Sequence, residues 1–326
     1  MDQIVSNFLA KLEFGDLKIF NNMGVIPLFT AVNHGPEYLT MQEALEKRFL
    51  SITELSQSGS VPELKVLNRA KIPVLLLDGE ELAGAKQNRV LNTSILLKEN
   101  SETVIPVSCT EQGRWAYASR EFALSGNMMH REARVRKAAS VSRSLKDCLA
   151  YRSNQGEVWD EIACFSRDAD VSSPTGAMRD VFESKKDDLK GYLDAFQYLP
   201  NQRGIFVMVN GMAVGFDVLS HTHAYELLHQ KIVKSYAIDA LLRKGKITQI
   251  PSVDKTKAFI EGASQCEEKR YESVGYGWDH RFEGKAIVGS SLVYQEKVIH
   301  MAFFKVDESE RAGAISSSSR RRRFRM

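Results

Sequence analysis

The chain has 326 residues, of which 43% are hydrophobic and 26% charged, enough for one large domain or two to three smaller units. No apolar run approaches the ~18–20 residues of a membrane-spanning helix, and the N-terminus lacks a basic start followed by an apolar run. We therefore predict neither a membrane span nor a secretion signal. Four cysteines without a C-x-x-C spacing indicate neither a zinc motif nor a disulfide framework, so a cytoplasmic location is the simplest expectation.

The positive charge of the chain is concentrated at its C-terminus. The net charge is +3, from 44 basic and 41 acidic residues, and removing the five arginines of residues 320–326 turns it into −2. The calculated pI of the chain is basic because of these arginines, so it does not indicate a nucleic-acid-binding domain. We predict a disordered basic tail over 308–326. It could solubilise the chain or bind nucleic acid or an acidic partner through Arg320, Arg321, Arg322, Arg323 and Arg325.

The first third of the sequence predicts many short strands. A capping box, Thr40 with Glu43, predicts a helix over 41–49. Short apolar or alternating runs predict strands over 17–20, 25–29, 50–55, 61–67, 72–77, 94–97 and 104–107. This pattern is typical of a sandwich or partial barrel, and by pattern alone it fits a jelly roll or cupin.

The rest of the chain alternates helical and strand patterns. Asn210-Gly211 between apolar runs predicts a β-hairpin over 204–216. The helical spacings predict helices over 128–151, 157–165, 175–199, 224–242 and 255–266, and a final strand pair is predicted over 286–292 and 297–305. The predicted fold class is α+β: a strand-rich N-terminal half, a helical middle and a C-terminal hairpin-and-helix unit. Soft boundaries divide it into a strand-rich region 1–120, a helical region 121–200, a hairpin-helix-strand region 201–307 and the tail 308–326.

Residues 75–115 place polar side chains between short apolar runs, where a rigid scaffold usually presents a site. Glu80 and Glu81 follow the predicted strand 72–77. If the strand continues, only one of them faces a pocket, where it could act as a general base or bind a metal. The alternative is a solvated turn, because Asp78-Gly79 is a common turn dipeptide.

Cations and amides follow two small residues, Gly84 and Ala85, which let a ligand approach the backbone. Lys86 and Arg89 could pair with phosphate or carboxylate, and amide side chains could recognise polar ligand edges. The amides are Gln87, Asn88 and Asn92. The spacing matches neither a P-loop nor a dinucleotide-binding fingerprint, so a polar hairpin loop remains the alternative.

The next turn, after the strand predicted at 104–107, carries four further candidates. Cys109 could be a nucleophile if a cation lowered its pKa, although a buried structural cysteine is the more common case. Glu111 and Arg114 could form an ion pair or contact a ligand, and Trp115 could stack on a ring or fill the core.

Three histidines, His221, His223 and His229, have spacing that could hold zinc or iron together with Asp217 or Glu226. The first two lie where we expect a strand-to-helix loop, so we assign no metal. The cofactor is likewise left unassigned.

The segments LLLDGEELAGAKQNRVLNTSILL and IPVSCTEQGRW, and the later GMAVGFDVLS and KIVKSYAIDAL, carry a resemblance over most of the chain. The chain resembles the ADP-ribosylglycohydrolase-and-rhodanese-phosphatase-associated proteins. That resemblance implies an accessory role in NAD- and ADP-ribose-handling operons, and it supplies no catalytic residue set. The matching positions are Glu80, Glu81, Gly84, Lys86, Gln87, Asn88, Arg89, Asn92, Ser108, Cys109, Glu111, Gly113, Arg114, Trp115, Asp217 and Asp239.

Together these observations lead to the hypothesis of a cytoplasmic protein that binds or processes a nucleotide related to NAD or ADP-ribose. Lys86 and Arg89 would hold the pyrophosphate and Trp115 would stack on a base. Glu80, Glu81 or Glu111 would orient or activate water. The alternative is a non-catalytic interaction or scaffold module, which could be a homo-oligomer, in an NAD-linked or defence-type operon. The sequence does not decide whether the chain is an enzyme.

Overall fold

The structure is a computed structural model and describes residues 1–32, 35–243 and 252–306. The helices in these ranges are α1 (Gln3–Ala10), α2 (Met41–Glu46), α3 (Arg131–Cys148), α4 (Gln155–Asp168), α5 (Met178–Ser184), α6 (Lys186–Ala195), α7 (Thr222–Leu242) and α8 (Val253–Ser264). The first strands are β1 (Leu12–Phe14), β2 (Lys18–Phe20), β3 (Met23–Thr30), β4 (Leu39–Thr40), β5 (Leu50–Glu54), β6 (Glu63–Asn68), β7 (Val74–Leu76), β8 (Glu80–Gly84) and β9 (Arg89–Leu91). The remaining strands are β10 (Ile95–Leu97), β11 (Ser101–Cys109), β12 (Phe122–Met128), β13 (Gly204–Val209), β14 (Met212–Leu219), β15 (Glu267–Glu272), β16 (Trp278–Glu283), β17 (Ile287–Tyr294) and β18 (Lys297–Lys305).

The strands form three sheets. A nine-stranded antiparallel sheet has the order β1-β3-β13-β14-β18-β17-β16-β15, with β2 also paired to β3. A six-stranded antiparallel sheet has the order β12-β8-β9-β11-β6-β5, and a three-stranded sheet has the order β10-β7-β4 with β4 and β7 parallel. Strand-rich N-terminal sequence, a helical middle and a C-terminal antiparallel unit confirm the predicted α+β class.

The core has three parts. Two of them lie on the two faces of the nine-stranded sheet, which is covered on both sides. Val25 and Val207 pack toward helices α3 to α7, whereas Ile26 and Phe206 pack toward α1 and α8. The third part lies between the six-stranded and three-stranded sheets, against α2. Burial on both faces explains why β13 is a continuous apolar run rather than an alternating one.

Two local predictions are confirmed in detail. The Thr40 side chain accepts the Glu43 backbone N–H, and the Glu43 carboxylate accepts the Thr40 N–H at 2.9 Å, which completes the capping box of α2. Asn210 and Gly211 both have positive φ, 52° and 78°, as the tight turn between β13 and β14 requires.

The single helix predicted over 175–199 is wrong. The structure has two helices, α5 and α6, with a break at Lys185. Helix α5 packs on α4 and β12, whereas α6 packs on α7 and β2. The apolar spacing of the sequence is continuous across both helices, but their different tertiary contacts separate them. Strands β1, β4, β8, β9, β12, β15 and β16 and helix α1 were not predicted. In β16, buried Asp279, His280 and Arg281 replace the apolar residues that a strand prediction needs.

The nine-stranded sheet crosses two of the predicted regional boundaries, because β3 pairs with β13. The division into regions 1–120, 121–200 and 201–307 stays a prediction, as does the comparison with a jelly roll. The tail 308–326, with its five arginines, lies outside the described residues. No helix in the described ranges is long and apolar enough to cross a bilayer.

Candidate functional site

Two turns lie side by side at one end of the six-stranded sheet. Residues 85–88 link β8 to β9, and residues 110–121 link β11 to β12. Arg114 of the second turn donates to the Ala85 carbonyl of the first at 2.6 Å and to Asn88 Oδ1 at 3.2 Å. We call the side chains gathered here the strand-end cluster. It comprises Glu54, Lys86, Gln87, Asn88, Arg89, Glu111, Arg114, Trp115 and Tyr117.

Two glycines allow this close approach. Gly84 has φ +120°, and a Cβ there would lie 2.5 Å from Ser119 Oγ. Gly59 has φ +78°, and a Cβ there would lie 3.2 Å from both Lys86 Cδ and the Trp115 ring. Larger residues at either position would push the turns apart.

Lys86 links the cluster to two surface rings. Its ammonium lies 5.2 Å from the Trp115 ring centroid and 5.1 Å from that of Tyr117, and it donates to the Ser58 carbonyl at 2.8 Å. Lys86 is buried, whereas Trp115 and Tyr117 are 48% and 52% exposed. Cation–π contacts at this distance hold the rings in place while leaving much of their surface open.

Arg89 lies beneath them and is fully buried. Its guanidinium carbon is 5.8 Å from the Trp115 centroid, and its Nη1 donates to the Gln87 backbone and side-chain oxygens at 3.2 Å. The nearest carboxylate, Glu54, is 3.6 Å away, and Arg89 Nε and Nη2 have no hydrogen-bond partner among the described residues. A buried guanidinium with unused donors is energetically costly.

Arg114 is the opposite case, because every N–H of its guanidinium is engaged. Besides Ala85 and Asn88, it reaches Glu111 at 2.9 and 2.6 Å, the Ala116 carbonyl at 3.0 Å and the Gly84 carbonyl at 3.3 Å.

Glu111 completes the contact between the turns. Its carboxylate accepts from the Thr175 hydroxyl at 2.8 Å and from the Asn88 backbone N–H at 3.1 Å. Burial by itself would raise the pKa of Glu111, but hydrogen bonds from Arg114, Thr175 and Asn88 hold the pKa below its ordinary value. Glu111 is therefore a carboxylate anchored between the turns.

The three predicted amide ligands differ in position. Asn88 accepts the Gly84 N–H at 3.2 Å, and the Gln87 amide donates to the Gln112 carbonyl at 3.3 Å, so both stabilise the turns. Asn92 lies outside the strand-end cluster. It donates to the Tyr151 carbonyl at 3.0 Å and accepts from Ser108 at 2.6 Å.

The adjacent carboxylates of β8 point to opposite faces, as the sequence predicts. Glu80 pairs with Lys231 of α7 at 2.9 Å and accepts the Leu77 N–H at 3.1 Å. Glu81 accepts from Thr110 at 2.7 Å, while its second oxygen has no partner in the described part of the chain. Burial raises the pKa of Glu81 to about 7, although the Thr110 and Ser125 hydroxyls and the charge of Arg179 oppose the increase.

Cys109 is buried at the end of β11, and burial raises the pKa of its thiol to about 11. Its backbone N–H and carbonyl pair with the Gln155 amide at 2.8 and 2.9 Å. A neutral, enclosed thiol favours the structural interpretation over that of a nucleophile.

The histidines that suggested a metal site are each engaged separately. His221 precedes α7 and contacts the Pro36 carbonyl at 2.9 Å, His223 lies 3.0 Å from Glu43, and His229 lies 2.7 Å from the Phe196 carbonyl. Across residues 1–32, 35–243 and 252–306, no group of three or more His, Cys, Asp or Glu residues could hold a metal ion.

A second buried charged group, which we call the central network, lies between the nine-stranded sheet and α3. Arg134 makes two hydrogen bonds to Asp217, at 3.0 and 2.5 Å, and Tyr236 donates to the same carboxylate at 2.7 Å. His300 Nε2 lies 3.4 Å from Asp217 and its Nδ1 lies 2.8 Å from Ser94. Although burial opposes ionisation, Arg134 holds the pKa of Asp217 well below its ordinary value.

The network continues toward the strand ends. Ser94 accepts the Asp78 N–H at 3.0 Å, and the Asp78 carboxylate pairs with Lys137, which also donates to the Leu91 carbonyl at 2.8 Å. Asp239, another position of the resemblance, pairs separately with His130 at 2.8 Å.

Sequence reasoning missed two members of the strand-end cluster, Glu54 and Tyr117. Glu54 had a usable signal: β5 alternates, and Leu50, Ile52 and Glu54 share its buried face. A carboxylate on the apolar face of a strand indicates a buried partner, here Arg89. Tyr117 follows Trp115 by two residues in an irregular segment and had no periodic signal.

One comparison with known proteins gives a match. The family model described as "ARG and Rhodanese-Phosphatase-superfamily-associated Protein domain" matches residues 11–304, which include all of the strand-end cluster and the central network. No curated protein and no solved structure matches the chain.

Proposed function

Because the chain belongs to the ARG and Rhodanese-Phosphatase-superfamily-associated Protein domain family, we propose that it binds a nucleotide related to NAD or ADP-ribose at the strand-end cluster. In this proposal Arg89 and Lys86 face the phosphates and Trp115 stacks on the base. The observation that carries it is Arg89, which is fully buried and yet has two nitrogens without a hydrogen-bond partner among the described residues.

A phosphate group would satisfy those nitrogens. Guanidinium Nε and Nη2 form the fork that binds two oxygens of one phosphate through parallel hydrogen bonds. Glu54, at 3.6 Å, offers only a long contact in that direction. The cluster holds three cations, Lys86, Arg89 and Arg114, against two carboxylates, Glu54 and Glu111. Glu111 is paired with Arg114 and Glu54 contacts Arg89, so the cluster keeps one excess positive charge for an anion.

Access to Arg89 requires movement of the turn that carries Trp115. The ring rests against Lys86 and Gly59 and covers Arg89, whereas its outer surface is open to solvent. If that turn swings outward, the phosphates reach Arg89 and the indole can return onto the base, which is the usual stacking geometry for nucleotides on aromatic side chains.

If the bound nucleotide is also processed, Glu81 is the best suited of the predicted catalytic residues. A pKa of about 7 lets a carboxyl group both accept and donate a proton near neutral pH. Glu80 and Glu111 are each held by a cation, at 2.9 and 2.6 Å, which favours a structural role for them.

Isothermal titration calorimetry with ADP-ribose and with NAD tests the proposal. Arg89→Lys keeps the charge and loses the fork, so we expect binding at least about tenfold weaker, the worth of one charge-assisted hydrogen-bond pair. Arg143→Lys, at an exposed position of α3, is the matched control and should bind as the unaltered protein does. Absence of binding by the folded, unaltered protein would remove the proposal.

A non-catalytic interaction module is the second candidate. The observation that favours it is the complete use of the Arg114 donors, which makes much of the cluster a satisfied network that fixes two exposed rings, Trp115 and Tyr117, for contact with a partner. Lys86→Ala and Arg89→Ala separate the candidates. Loss of folding favours the network, whereas a stable protein without ligand affinity favours the nucleotide site. Light scattering would measure the oligomeric state that this candidate leaves open.

A further inference from the structure

We propose that a cavity beside β15, β16 and β17 is a second ligand site, for a planar aromatic ring that carries an anionic group. The cavity has a volume of about 540 Å³, within the range of small-molecule sites. None of its lining residues belongs to the strand-end cluster or to the central network, so the inference goes beyond the proposed function.

Three aromatic side chains form its walls. The rings of Tyr276 and Tyr294 are stacked, with centroids 4.7 Å apart and planes 17° from parallel. Trp278 also lines the cavity and is 46% exposed, a large value for so apolar a side chain. Exposed aromatic surface inside a concavity is what a planar ring needs for stacking.

Two cations lie on those walls. The Lys98 ammonium is 5.4 Å from the Tyr276 centroid, and the Arg270 guanidinium is 4.8 Å from that of Trp278. No carboxylate of the described ranges pairs with Lys98, and Arg270 has only a 3.6 Å contact with Asp2. Both cations therefore retain hydrogen-bond donors for an anionic group beside the rings.

The position of the cations also selects the ligand charge. Lys98 and Arg270 already lie over the aromatic faces, so a cationic ligand would meet like charge there. Glu272 and Glu296 also line the cavity, but both are exposed, and solvent screens their repulsion of an anion.

Two glycines let the backbone on either side of Tyr276 pack closely against neighbouring strands, which fixes this wall before a ligand binds. A Cβ on Gly275 would lie 2.1 Å from the Leu96 carbonyl oxygen, and one on Gly277, at φ +88°, would lie 2.2 Å from that of Val293. The Tyr276 N–H donates to the Leu96 carbonyl at 2.7 Å. A wall fixed in this way avoids the entropic cost of ordering it when a ligand binds.

The test is a calorimetric titration of the full chain with adenosine monophosphate and with nicotinate, which both join a planar ring to an anion. Adenosine supplies the ring alone and inorganic phosphate the anion alone. We expect one of the first two to bind at least about tenfold more tightly than either fragment. Tighter binding of adenosine monophosphate would identify a nucleotide ligand, and tighter binding of nicotinate an aromatic carboxylate.

Variants locate the bound probe. Lys98→Met and Trp278→Leu, checked for folding by circular dichroism, should each weaken binding about tenfold. Lys65→Met, at a partly exposed lysine of β6 that pairs with Glu102 at 3.3 Å, should leave it unchanged. Arg89→Lys separates binding in this cavity from binding at the strand-end cluster. Binding that Arg89→Lys removes and Lys98→Met retains would overturn this inference while supporting the proposed function. Failure of both probes to bind would overturn the inference alone, because the proposed function is tested with ADP-ribose and NAD.

Discussion

Two fully buried arginines, Arg134 in the central network and Arg89 in the strand-end cluster, are treated differently by their surroundings. Arg134 makes a two-pronged pair with Asp217, which also accepts from Tyr236, and only its Nε lacks a partner among the described residues. Arg89 has a carboxylate, Glu54, only at 3.6 Å and two nitrogens without partners in the described ranges. Burial removes both guanidinium groups from water, which is unfavourable. Arg134 regains far more of that free energy through its contacts than Arg89 does.

The difference separates a structural pair from a candidate site. A buried cation that already holds a carboxylate in a two-pronged pair has little left to offer a ligand, whereas one whose fork of donors is unused gains by binding one. Charge and burial are alike at both arginines, so the geometry of the partner carries the distinction. Four measurements test this difference between the two arginines and their surroundings.

The largest effect is expected for Asp217→Asn. It leaves the Arg134 charge buried without its partner and should lower the free energy of unfolding by about 3–5 kcal/mol in urea titrations. Asp160→Asn, on the exposed side of α4, controls for the loss of a carboxylate and should change stability by less than about 0.5 kcal/mol. A loss below about 1 kcal/mol at Asp217 would show that the central network is not a structural pair.

Glu81 is the carboxylate counterpart of Arg89, buried and half-partnered, and its effect should depend on pH. Its pKa rises from 4.5 to about 7 on folding, so the folded state keeps the proton that the unfolded state releases. Stability should therefore be lost as pH rises from about 4.5 to 7. Glu81→Gln removes this loss. Its free energy of unfolding, relative to that of the unaltered protein, should therefore rise by about 2–3 kcal/mol as the pH goes from 5 to 8.

Urea titrations of Glu81→Gln and of the unaltered protein at pH 5 and at pH 8 measure this change in the free energy of unfolding. The same substitution at the exposed Glu46 is the control for loss of one carboxylate. A difference between Glu81→Gln and the unaltered protein that does not vary with pH would contradict the raised pKa.

A pair of tyrosine substitutions compares the two regions with one chemical change. Tyr236→Phe removes a buried 2.7 Å hydrogen bond to the Asp217 carboxylate and should cost about 1.5–3 kcal/mol in thermal or urea unfolding. Tyr117→Phe removes an exposed 3.4 Å contact with the Gln57 carbonyl and should cost less than about 0.5 kcal/mol. Equal losses would mean that the strand-end cluster is as tightly bonded as the central network.

The smallest effect is the coupling between Arg89 and Glu54. A double-mutant cycle with Arg89→Met and Glu54→Gln should give a coupling energy below about 1 kcal/mol, because the charges lie 3.6 Å apart. The parallel cycle with Arg134→Met and Asp217→Asn should give more than about 2 kcal/mol. A strong Arg89–Glu54 coupling would leave no unused donors for a ligand and would oppose the nucleotide proposal.

Short-range signals were the reliable part of the sequence. The capping box at Thr40 and Glu43 and the turn at Asn210 and Gly211 each depend on a few neighbouring residues, so their chemistry is complete within the segment. The α5–α6 break is different, because it depends on contacts with α4, α7 and two sheets that no local pattern contains.

The candidate site divides in the same way. Sequence predicted the composition of the two turns and that Glu80 and Glu81 would face opposite sides, since successive residues of a strand alternate. It could not assign partners: Glu80 to Lys231 across the fold, Arg89 to Glu54, or Arg114 to the backbone of the other turn. Each pairing joins residues that only the packing of strands, helices and turns brings together.

The α+β class, the family and the places where polar groups interrupt apolar strands can be read from the sequence, because periodicity, turn chemistry and motifs are local properties. Which charges are satisfied depends on the folded arrangement, since a hydrogen bond needs a partner at about 3 Å and that partner usually comes from a distant part of the chain. For that reason Arg89 and Arg134, which are the same residue type in the sequence, have different expected roles in the fold. Glu54 lies beside Arg89 at a long distance, whereas Asp217 pairs closely with Arg134.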